Sequence, residues 1–424
     1  MSMIAMKIPG ATTRVMIGLA AGAVVGLLLA KFSPDAAGLV ASIARPIGKL
    51  WLAALQMTVV PLVLALVILG VASASDAAAS GRVARRALFV FIVLLCGFAA
   101  YAAVCAPLLL SLFPHSESLA STLRATMDTP ASIAAPGLAD WVANVVPSNA
   151  IMAAAQGAML PLVVFALCFG FALTRIAAER RAQLVGLFHG LADTMIVIVH
   201  GVLLLAPLGV FALVLVVCVE AGAGVIGALV GYIGLLVALY LGATALCYVV
   251  VALGARESPL RFAKAILPAQ VVAASTQSSL ASLPAMIDCA DTRLGYRRSV
   301  VALVLPMAVT LFRITSPIQY LAAACFIAWV YGIELSAMQL GTAALLAVAI
   351  SLGSVGLPGQ VSFMATVMPV TQSLGLPLEP LGLLLAVDTI PDVFATTGNV
   401  TGDLTATSLI ARHENGASSD ISPG

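Results

Sequence analysis

Long apolar stretches constrain this chain more than any other feature of its sequence. A helix that spans the hydrocarbon core of a bilayer needs about 20 mostly apolar residues, and eight stretches meet that requirement. Hydrophobic residues make up 62% of the 424 residues and charged residues only 9%, which excludes a water-soluble fold. The predicted spans cover residues 13–31, 47–72, 87–113, 148–174, 184–217, 224–253, 298–330 and 376–411.

The charged residues between these stretches indicate the orientation of the chain. The first stretch follows Lys7 and Arg14 and could be a signal peptide, but no clear cleavage site of small residues follows it. It is therefore interpreted as a membrane helix. With the amino terminus in the cytoplasm, most of the 20 Lys and Arg residues lie on the cytoplasmic side of an inner (plasma) membrane. Residues 114–147 then form an extracellular loop, and residues 413–424 form a disordered cytoplasmic tail.

Two further apolar stretches, at about 259–290 and 335–374, are interrupted and are predicted to be re-entrant helical hairpins. The first contains the hydroxyl-rich sequence AASTQSSLASLP, and the second contains SLGSVGLPG. Glycine and proline leave backbone groups without helical partners, which a membrane tolerates only where the backbone lines a cavity or is buried in protein. A pair of broken segments is typical of a transporter's substrate site. The alternative is two kinked helices whose hydroxyl groups bond internally.

Composition and motif searches exclude several classes of function. The 20 basic and 18 acidic residues leave no basic surface for nucleic acid, so no nucleic-acid partner is expected. The seven Cys and four His residues are scattered without metal-ligand spacing, so neither a disulfide framework nor a metal or other cofactor is predicted. An ion channel or a membrane protease has little support, because no filter-like repeat occurs and His200 is the one candidate for a Ser/His pair. The chain is not expected to be an enzyme.

The last predicted span carries a polar stripe inside apolar sequence. On one continuous helix its members share a face of about 80°, and these residues are Asp388, Asp392, Thr396, Asn399 and Asp403. Polar residues on a membrane helix mark a substrate or ion pathway by default. Asp392 can accept from an ammonium group and Asn399 can donate to a carboxylate about two turns away, which suits a zwitterion. The alternative is a charged helix end that faces water.

The chain resembles the dicarboxylate/amino acid:cation symporters, the family of glutamate transporters and their prokaryotic homologues. The resemblance runs almost from end to end, and its most specific part is the sequence DTIPDVFATTGNVTGD at 388–403. PLVLALVILGVASASD, PSNAIMAAAQGAMLPLVVFALCFGFAL, SVGLPG and the serine-rich hairpin add to it. The resemblance implies an all-α integral membrane protein with eight transmembrane helices and two re-entrant hairpins. It also implies a homotrimer in which a mobile transport domain carries the substrate past a static scaffold as an elevator.

The same resemblance divides the chain into domains. Scaffold helices 1 and 2 are expected in residues 1–86, and scaffold helices 4 and 5 in residues 148–217. Helix 3, in residues 87–113, is expected in the transport domain. Residues 218–412 are expected to complete that domain with helix 6, hairpin 1, helix 7, hairpin 2 and helix 8.

The resemblance also assigns the substrate site residue by residue. Asp392 matches the family's aspartate for the substrate amino group, and Asn399 matches its asparagine for the α-carboxylate. The other positions expected near the substrate lie in the two hairpins and the last two helices, and they are Ser278, Ser279, Ser316, Val355, Gly356, Pro358, Gly359, Ala395 and Thr396.

Three departures from the family pattern affect specificity and coupling. Ala395 replaces the arginine that selects the substrate's side chain, which removes the partner for a second carboxylate. The sequence FRITS at 312–316 replaces the family's sodium signature Asn-Met-Asp-Gly-Thr. The third span has no Ser or Thr from Ala87 to Leu110, where the family places hydroxyl ligands for sodium.

These departures lead to two hypotheses about coupling. In the first, Arg313 stands in for a bound cation and pairs with Asp388, Asp403 or both, so that neutral amino acids are carried with sodium dependence lost or reduced. The alternative is that Arg313 is purely structural. In the second hypothesis, the chain is a conventional sodium- or proton-coupled amino acid or dicarboxylate symporter with fewer ions, because backbone carbonyls around Ser351 to Ser354 could still bind sodium.

Overall fold

Apolar helices make up the whole fold in the part of the chain that the structure describes. This computed structural model describes residues 11–113, 145–222, 224–353 and 359–419. Every regular element in these ranges is helical, as expected of an all-α membrane protein. The helices are α1 Ala11–Phe32, α2 Pro34–Ala79, α3 Arg82–Ser111, α4 Ala150–Ala155, α5 Met159–Leu173, α6 Ala178–Leu203, α7 Ala206–Ala221, α8 Gly224–Val250, α9 Pro259–Thr276, α10 Ser279–Asp288, α11 Arg298–Leu311, α12 Thr315–Tyr331, α13 Ala337–Gly353, α14 Gly359–Ser373, α15 Pro380–Val387 and α16 Asp392–Ser419.

Six helical segments of the described residues are long and apolar enough to cross a membrane, and a bent pair makes a seventh. The bent pair consists of α15 and the first part of α16, which meet at 74°. The chain is therefore a multi-pass membrane protein, although eight spans were predicted. The six are Thr13–Phe32, Pro34–Ala79, Arg82–Ser111, Ala178–Leu203, Gly224–Ala255 and Arg298–Tyr331.

Two of the predicted spans are each divided into two helices. Residues 148–174 form α4 and α5, which are separated by Gly157 at a φ of 66°. Residues 184–217 belong to α6 and α7, because Pro207 lies in the first turn of α7 and cannot continue α6. Hydropathy could not reveal these breaks, since the residues around them are apolar.

Two groups of helix contacts centre on α2 and on α3, and α2 also packs against α3, α13 and α14 across the two groups. In the first, α2 packs against α5, α6 and α7, and α1 lies along α7. A Cβ on Gly18 of α1 would lie 2.3 Å from the carbonyl oxygen of Pro207, so only glycine permits this close approach. In the second group, α3 packs against α8, α11, α12, α13 and α16. The predicted domain boundary at residue 218 lies inside α7.

The two interrupted stretches form paired helices. In the first, α9 and α10 pack together around Gln277, whose φ of 50° reverses the chain. In the second, α13 packs against α14, and α13 also contacts α2. The tip between α13 and α14, with the predicted site residues Val355, Gly356 and Pro358, lies outside the described residues.

Two predicted spans are broken where the polar residues lie. The span 298–330 is interrupted at residues 312–314, because Pro317 in the first turn of α12 cannot pair with the carbonyl of Arg313. The span 376–411 is interrupted at 388–391, and Pro391 has the same effect there. The expectation of one straight helix from residue 388 is therefore wrong, although the N–H of Asp392 still donates to the carbonyl of Asp388 over 3.2 Å.

The last helix extends further than predicted. α16 continues to Ser419, beyond the expected boundary at residue 412. Glu414 is 7% exposed, and its carboxylate lies 3.2 Å from the guanidinium of Arg86 and 3.5 Å from that of Arg82. This cluster ties the end of α16 to the start of α3.

Candidate substrate and ion site

The break at residues 312–314 is held against α16 by Thr315. Its backbone N–H donates to Oδ1 of Asn399 over 3.0 Å, and its hydroxyl donates to the carbonyl of Ala395 over 3.3 Å. Thr315 lies in the first turn of α12, where a backbone N–H has no acceptor within the helix, so this N–H needs an acceptor from elsewhere. Asn399 supplies that acceptor.

This bond fixes the direction in which the Asn399 amide points. A backbone N–H can only donate, so the carbonyl oxygen of Asn399 faces Thr315 and its NH₂ group is directed away. Asn399 is 3% exposed and Thr396, one turn earlier, is 2% exposed. The arrangement leaves the NH₂ group of Asn399 oriented as a hydrogen-bond donor.

Two glycines on α16 permit the break to approach closely. A Cβ on Gly402 would lie 2.9 Å from Cδ1 of Ile314, and a Cβ on Gly398 would lie 2.9 Å from Cγ2 of Thr315. Both distances are shorter than ordinary carbon contacts. Because Gly398 and Gly402 have no side chains, residues 314 and 315 pack closely against this part of α16.

The turn of the first hairpin reaches the second break. Nε2 of Gln277 donates to the carbonyl of Thr389 over 3.1 Å. Oγ of Ser278 accepts from the N–H of Ala281 over 3.2 Å and so caps α10. Oγ of Ser279 is buried, and it has no hydrogen-bond partner among the described residues. Of the two predicted serines, Ser278 shapes the hairpin and Ser279 keeps its full bonding capacity.

Arg313 lies within electrostatic range of two carboxylates of α16, those of Asp392 and Asp403. Asp403 is completely buried, and neither of its oxygens has a hydrogen-bond partner in the described part of the chain. The attraction between Arg313 and Asp403 is therefore not a hydrogen-bonded ion pair. A buried carboxylate with both oxygens unpaired is a strong site for a proton or a small cation.

Asp388 stands apart from Arg313. Its Oδ1 accepts from Nε2 of Gln319 over 2.6 Å, and it is 8% exposed. Gln319 is not among the residues predicted from the sequence, although an amide inside the apolar helix α12 is itself a signal of a polar partner.

An aromatic stack lies beside the break. The rings of Phe91, on α3, and Phe312 stack with centroids 4.8 Å apart and planes inclined by 14°, and both residues are fully buried. Phe91 belongs to the third predicted span and Phe312 to the FRITS sequence. Carbon atoms occupy this position, and they cannot bind a hard cation.

Two further predicted residues adjoin the same elements. Ser316 is 8% exposed, and its N–H donates to the carbonyl of Arg313 over 3.1 Å. Gly359 begins α14. Among the described residues, no group of three or more His, Cys, Asp and Glu side chains could hold a metal ion.

The sequence is similar to known membrane transport proteins along almost its whole length. The sequence profile described as "Sodium:dicarboxylate symporter family" matches residues 11–413. The proton/glutamate-aspartate symporter of Escherichia coli (strain K12) is 28% identical over 412 residues, which cover 95% of this chain and 92% of that protein. The proton/sodium-glutamate symport protein of Bacillus caldotenax is 27% identical over 416 residues, with 96% and 94% covered. The C4-dicarboxylate transport protein of Burkholderia cenocepacia (strain HI2424) is 28% identical over 400 residues, with 92% and 90% covered.

Proposed function

Because the chain belongs to the sodium:dicarboxylate symporter family, whose members are cation-coupled membrane transporters and not enzymes, we propose that it carries neutral amino acids with sodium dependence lost or reduced. Arg313 stands in for a bound cation in this proposal. The protein works as a homotrimer in the inner membrane, with both chain ends in the cytoplasm and an elevator motion of its transport domain. Two observations support the proposal: the electrostatic interaction of Arg313 with the carboxylates of Asp392 and Asp403, and the aromatic stack of Phe91 on Phe312, the residue next to Arg313.

The substrate is proposed to bind as a zwitterion along α16. Asp392 and Asn399 are separated by about two helical turns, or roughly 10 Å along the axis, which their side chains and the substrate between them can bridge. The NH₂ group of Asn399 is left available by the bond from Thr315. A charge-assisted bond from the substrate's ammonium group to Asp392 completes the pair.

The side chain of the substrate is proposed to be neutral because Ala395 offers it no charged partner. Ala395 is 6% exposed and lies one turn after Asp392. A second carboxylate at this position would be buried without a hydrogen bond, which is costly. Uptake of radiolabelled L-alanine and L-serine into proteoliposomes, with unlabelled L-aspartate as competitor, tests this. Excess unlabelled L-aspartate should reduce this uptake less than the same excess of unlabelled L-alanine or L-serine does.

The coupling of transport to sodium is proposed to differ from the family pattern, because the aromatic rings of Phe312 and Phe91 offer no oxygen ligand to a sodium ion. The test is a titration of substrate affinity against sodium, with choline as the replacement ion. Affinity should change little across the titration. A tenfold increase, or about 1.4 kcal/mol, would show that a working sodium site survives.

A second candidate function is a conventional sodium- or proton-coupled symporter of acidic amino acids or dicarboxylates. Two observations favour it: Arg313 lies near Asp392, where it could bind a second carboxylate, and the relatives named above carry glutamate, aspartate or C4-dicarboxylates. If L-aspartate is the tightest ligand and Arg313→Met abolishes that preference, Arg313 binds the side-chain carboxylate of the substrate and this second candidate is correct.

A further inference from the structure

Two ionisable side chains lie in the middle of a membrane helix that has no role in the site described above. His189 and Asp193 are near the centre of α6, which has 26 residues and qualifies as a membrane span. Both side chains are exposed in this structure. Neither forms a hydrogen bond or an ion pair with any residue that the structure describes. Ionisable groups at membrane depth are costly in lipid and usually face a pathway or a water-filled cavity.

His189 and Asp193 face such a cavity, of about 440 Å³. Its walls come from both groups of helices, with α2 and α6 on one side and α11 and α13 on the other. The volume lies within the usual range for small-molecule sites. The residues that line it are Leu66, Leu69, Gly70, Ser73, Ala77, His189, Ala192, Asp193, Ile196, Met307, Thr310, Leu311, Leu352 and Gly353.

The cavity has the chemistry to bind a zwitterion. His189 and Asp193 are four residues apart on one helix, so their side chains begin about 5–6 Å from each other on the same face. Imidazole can donate to a carboxylate, and the Asp193 carboxylate can accept from an ammonium group. The exposed hydroxyl of Ser73 adds a donor from α2, and Oγ1 of Thr310 adds an acceptor from α11. The remaining lining is mostly apolar.

Hydrogen bonds between α6 and α2 stabilise one wall of the cavity. Arg181 of α6 donates to Oδ1 of Asp76 of α2 over 2.7 Å and to the carbonyl of Ala72 over 3.4 Å. These bonds hold α2 and α6 together two turns from His189. The opposite wall ends at Leu352 and Gly353, the last residues of α13. The cavity therefore adjoins the second hairpin, from which four substrate-contacting positions are predicted.

We propose that this cavity is a second binding site for an α-amino acid, in which Asp193 accepts from the ammonium group and His189 and Ser73 donate to the carboxylate. The substrate class rests on the proposed function. Because the walls belong to two groups of helices, the site exists only when these groups are arranged as they are here. An amino acid bound in the cavity therefore stabilises this arrangement.

The test is equilibrium dialysis of radiolabelled L-alanine, L-serine and L-aspartate against the full-length protein in lipid nanodiscs. The variants are Asp193→Asn and His189→Gln in the cavity and Asn399→Ala in the central site. Thr194→Val is the matched control, because Thr194 is also on α6 but its hydroxyl bonds to the carbonyl of Gly190 and does not line the cavity.

The unmodified protein and Thr194→Val should bind two molecules per chain of at least one probe. Asp193→Asn and His189→Gln should each lose one of the two sites or weaken it at least tenfold, and Asn399→Ala should lose the other. If Asn399→Ala loses all binding, or if both cavity variants bind as the unmodified protein does, the cavity site is refuted while the proposed function stands. If Asn399→Ala has no effect and Asp193→Asn loses binding, the central site is refuted and the cavity site stands. Absence of binding of all three probes would refute both.

Discussion

Replacing Gly353 by alanine should force apart the two helices that cross at the cavity. A Cβ on Gly353 would lie 2.4 Å from the carbonyl oxygen of Leu66 and 2.9 Å from the backbone nitrogen of Val67. Carbon contacts are optimal at about 3.5–4.0 Å, so α2 and α13 must separate by about 1 Å. Both obstructing atoms belong to the backbone and cannot rotate away. Gly70 opposes Gly353 in the same crossing, since its own Cβ would lie 2.8 Å from the Cα of Gly353.

The energetic cost follows from this geometry. Overpacking of one carbon typically costs about 1–3 kcal/mol. Alanine stabilises the interior of a helix by about 0.5–1 kcal/mol relative to glycine. Gly353 is the last residue of α13, so this stabilisation is small there. Gly341 is inside the same helix, and nothing lies within 4 Å of a Cβ placed there. Gly341→Ala is therefore the matched control and should be neutral or slightly stabilising.

The assay combines thermal unfolding of the purified protein with initial uptake rates in proteoliposomes. Gly353→Ala should lower the unfolding temperature by about 1–3 °C. It should also reduce uptake, because the crossing of α2 and α13 joins the proposed scaffold to the proposed moving part. Gly341→Ala should keep the unfolding temperature and the uptake rate of the unmodified protein. If Gly353→Ala unfolds and transports as Gly341→Ala does, the close crossing is not maintained in the working protein and the reasoning fails.

Three other substitutions have defined outcomes. Glu414→Gln should lower the free energy of unfolding by about 1–2 kcal/mol in denaturant titrations, less than for a fully buried pair because Arg86 is 38% exposed; no change would mean that the pair is fully solvated. Asn399→Ala should abolish amino-acid binding at the central site in dialysis and leave the cavity site occupied, and it should also cost about 1–3 kcal/mol of stability because the N–H of Thr315 loses its acceptor. Unchanged affinity would remove Asn399 from the site. Arg313→Met should weaken substrate affinity tenfold or more without restoring a sodium dependence, and full activity would show that Arg313 is purely structural.

The sequence predicted the elements that depend on composition and missed those that depend on tertiary contacts. The apolar stretches predicted an all-helical, multi-pass membrane protein, although eight spans were expected where six or seven are found, and the sequence motifs predicted the family correctly. The breaks before Thr315 and Asp392 were not predicted, because Phe312 and Ile314 are apolar and keep the hydropathy high across the gap. Pro317 and Pro391 were the sequence signals for these two breaks. A proline can also lie inside a continuous helix, so neither residue alone showed that a helix ends beside it.

The site shows the same division between sequence and packing. Asp392 and Asn399 were predicted as site residues from their spacing and from the family motif, and this assignment stays a prediction. The bond between Asp388 and Gln319 joins two helices that lie far apart in the sequence, so no local pattern could reveal it. His189 and Asp193 were overlooked because two polar residues hardly change the mean hydropathy of a long apolar span.

The broken helices have an electrostatic consequence for the site. α10, α12 and α16 all begin inside the fold, and the contacts of Gln277 and Thr315 bring these three beginnings to the same region. The aligned peptide dipoles place about half a positive charge at each helix start. Asp388, Asp392, Asp403 and Arg313 together carry two formal negative charges, and the three helix starts offset most of this charge. Arg313 and the backbone dipoles therefore bring the site close to neutrality, and an arriving zwitterion changes its net charge very little.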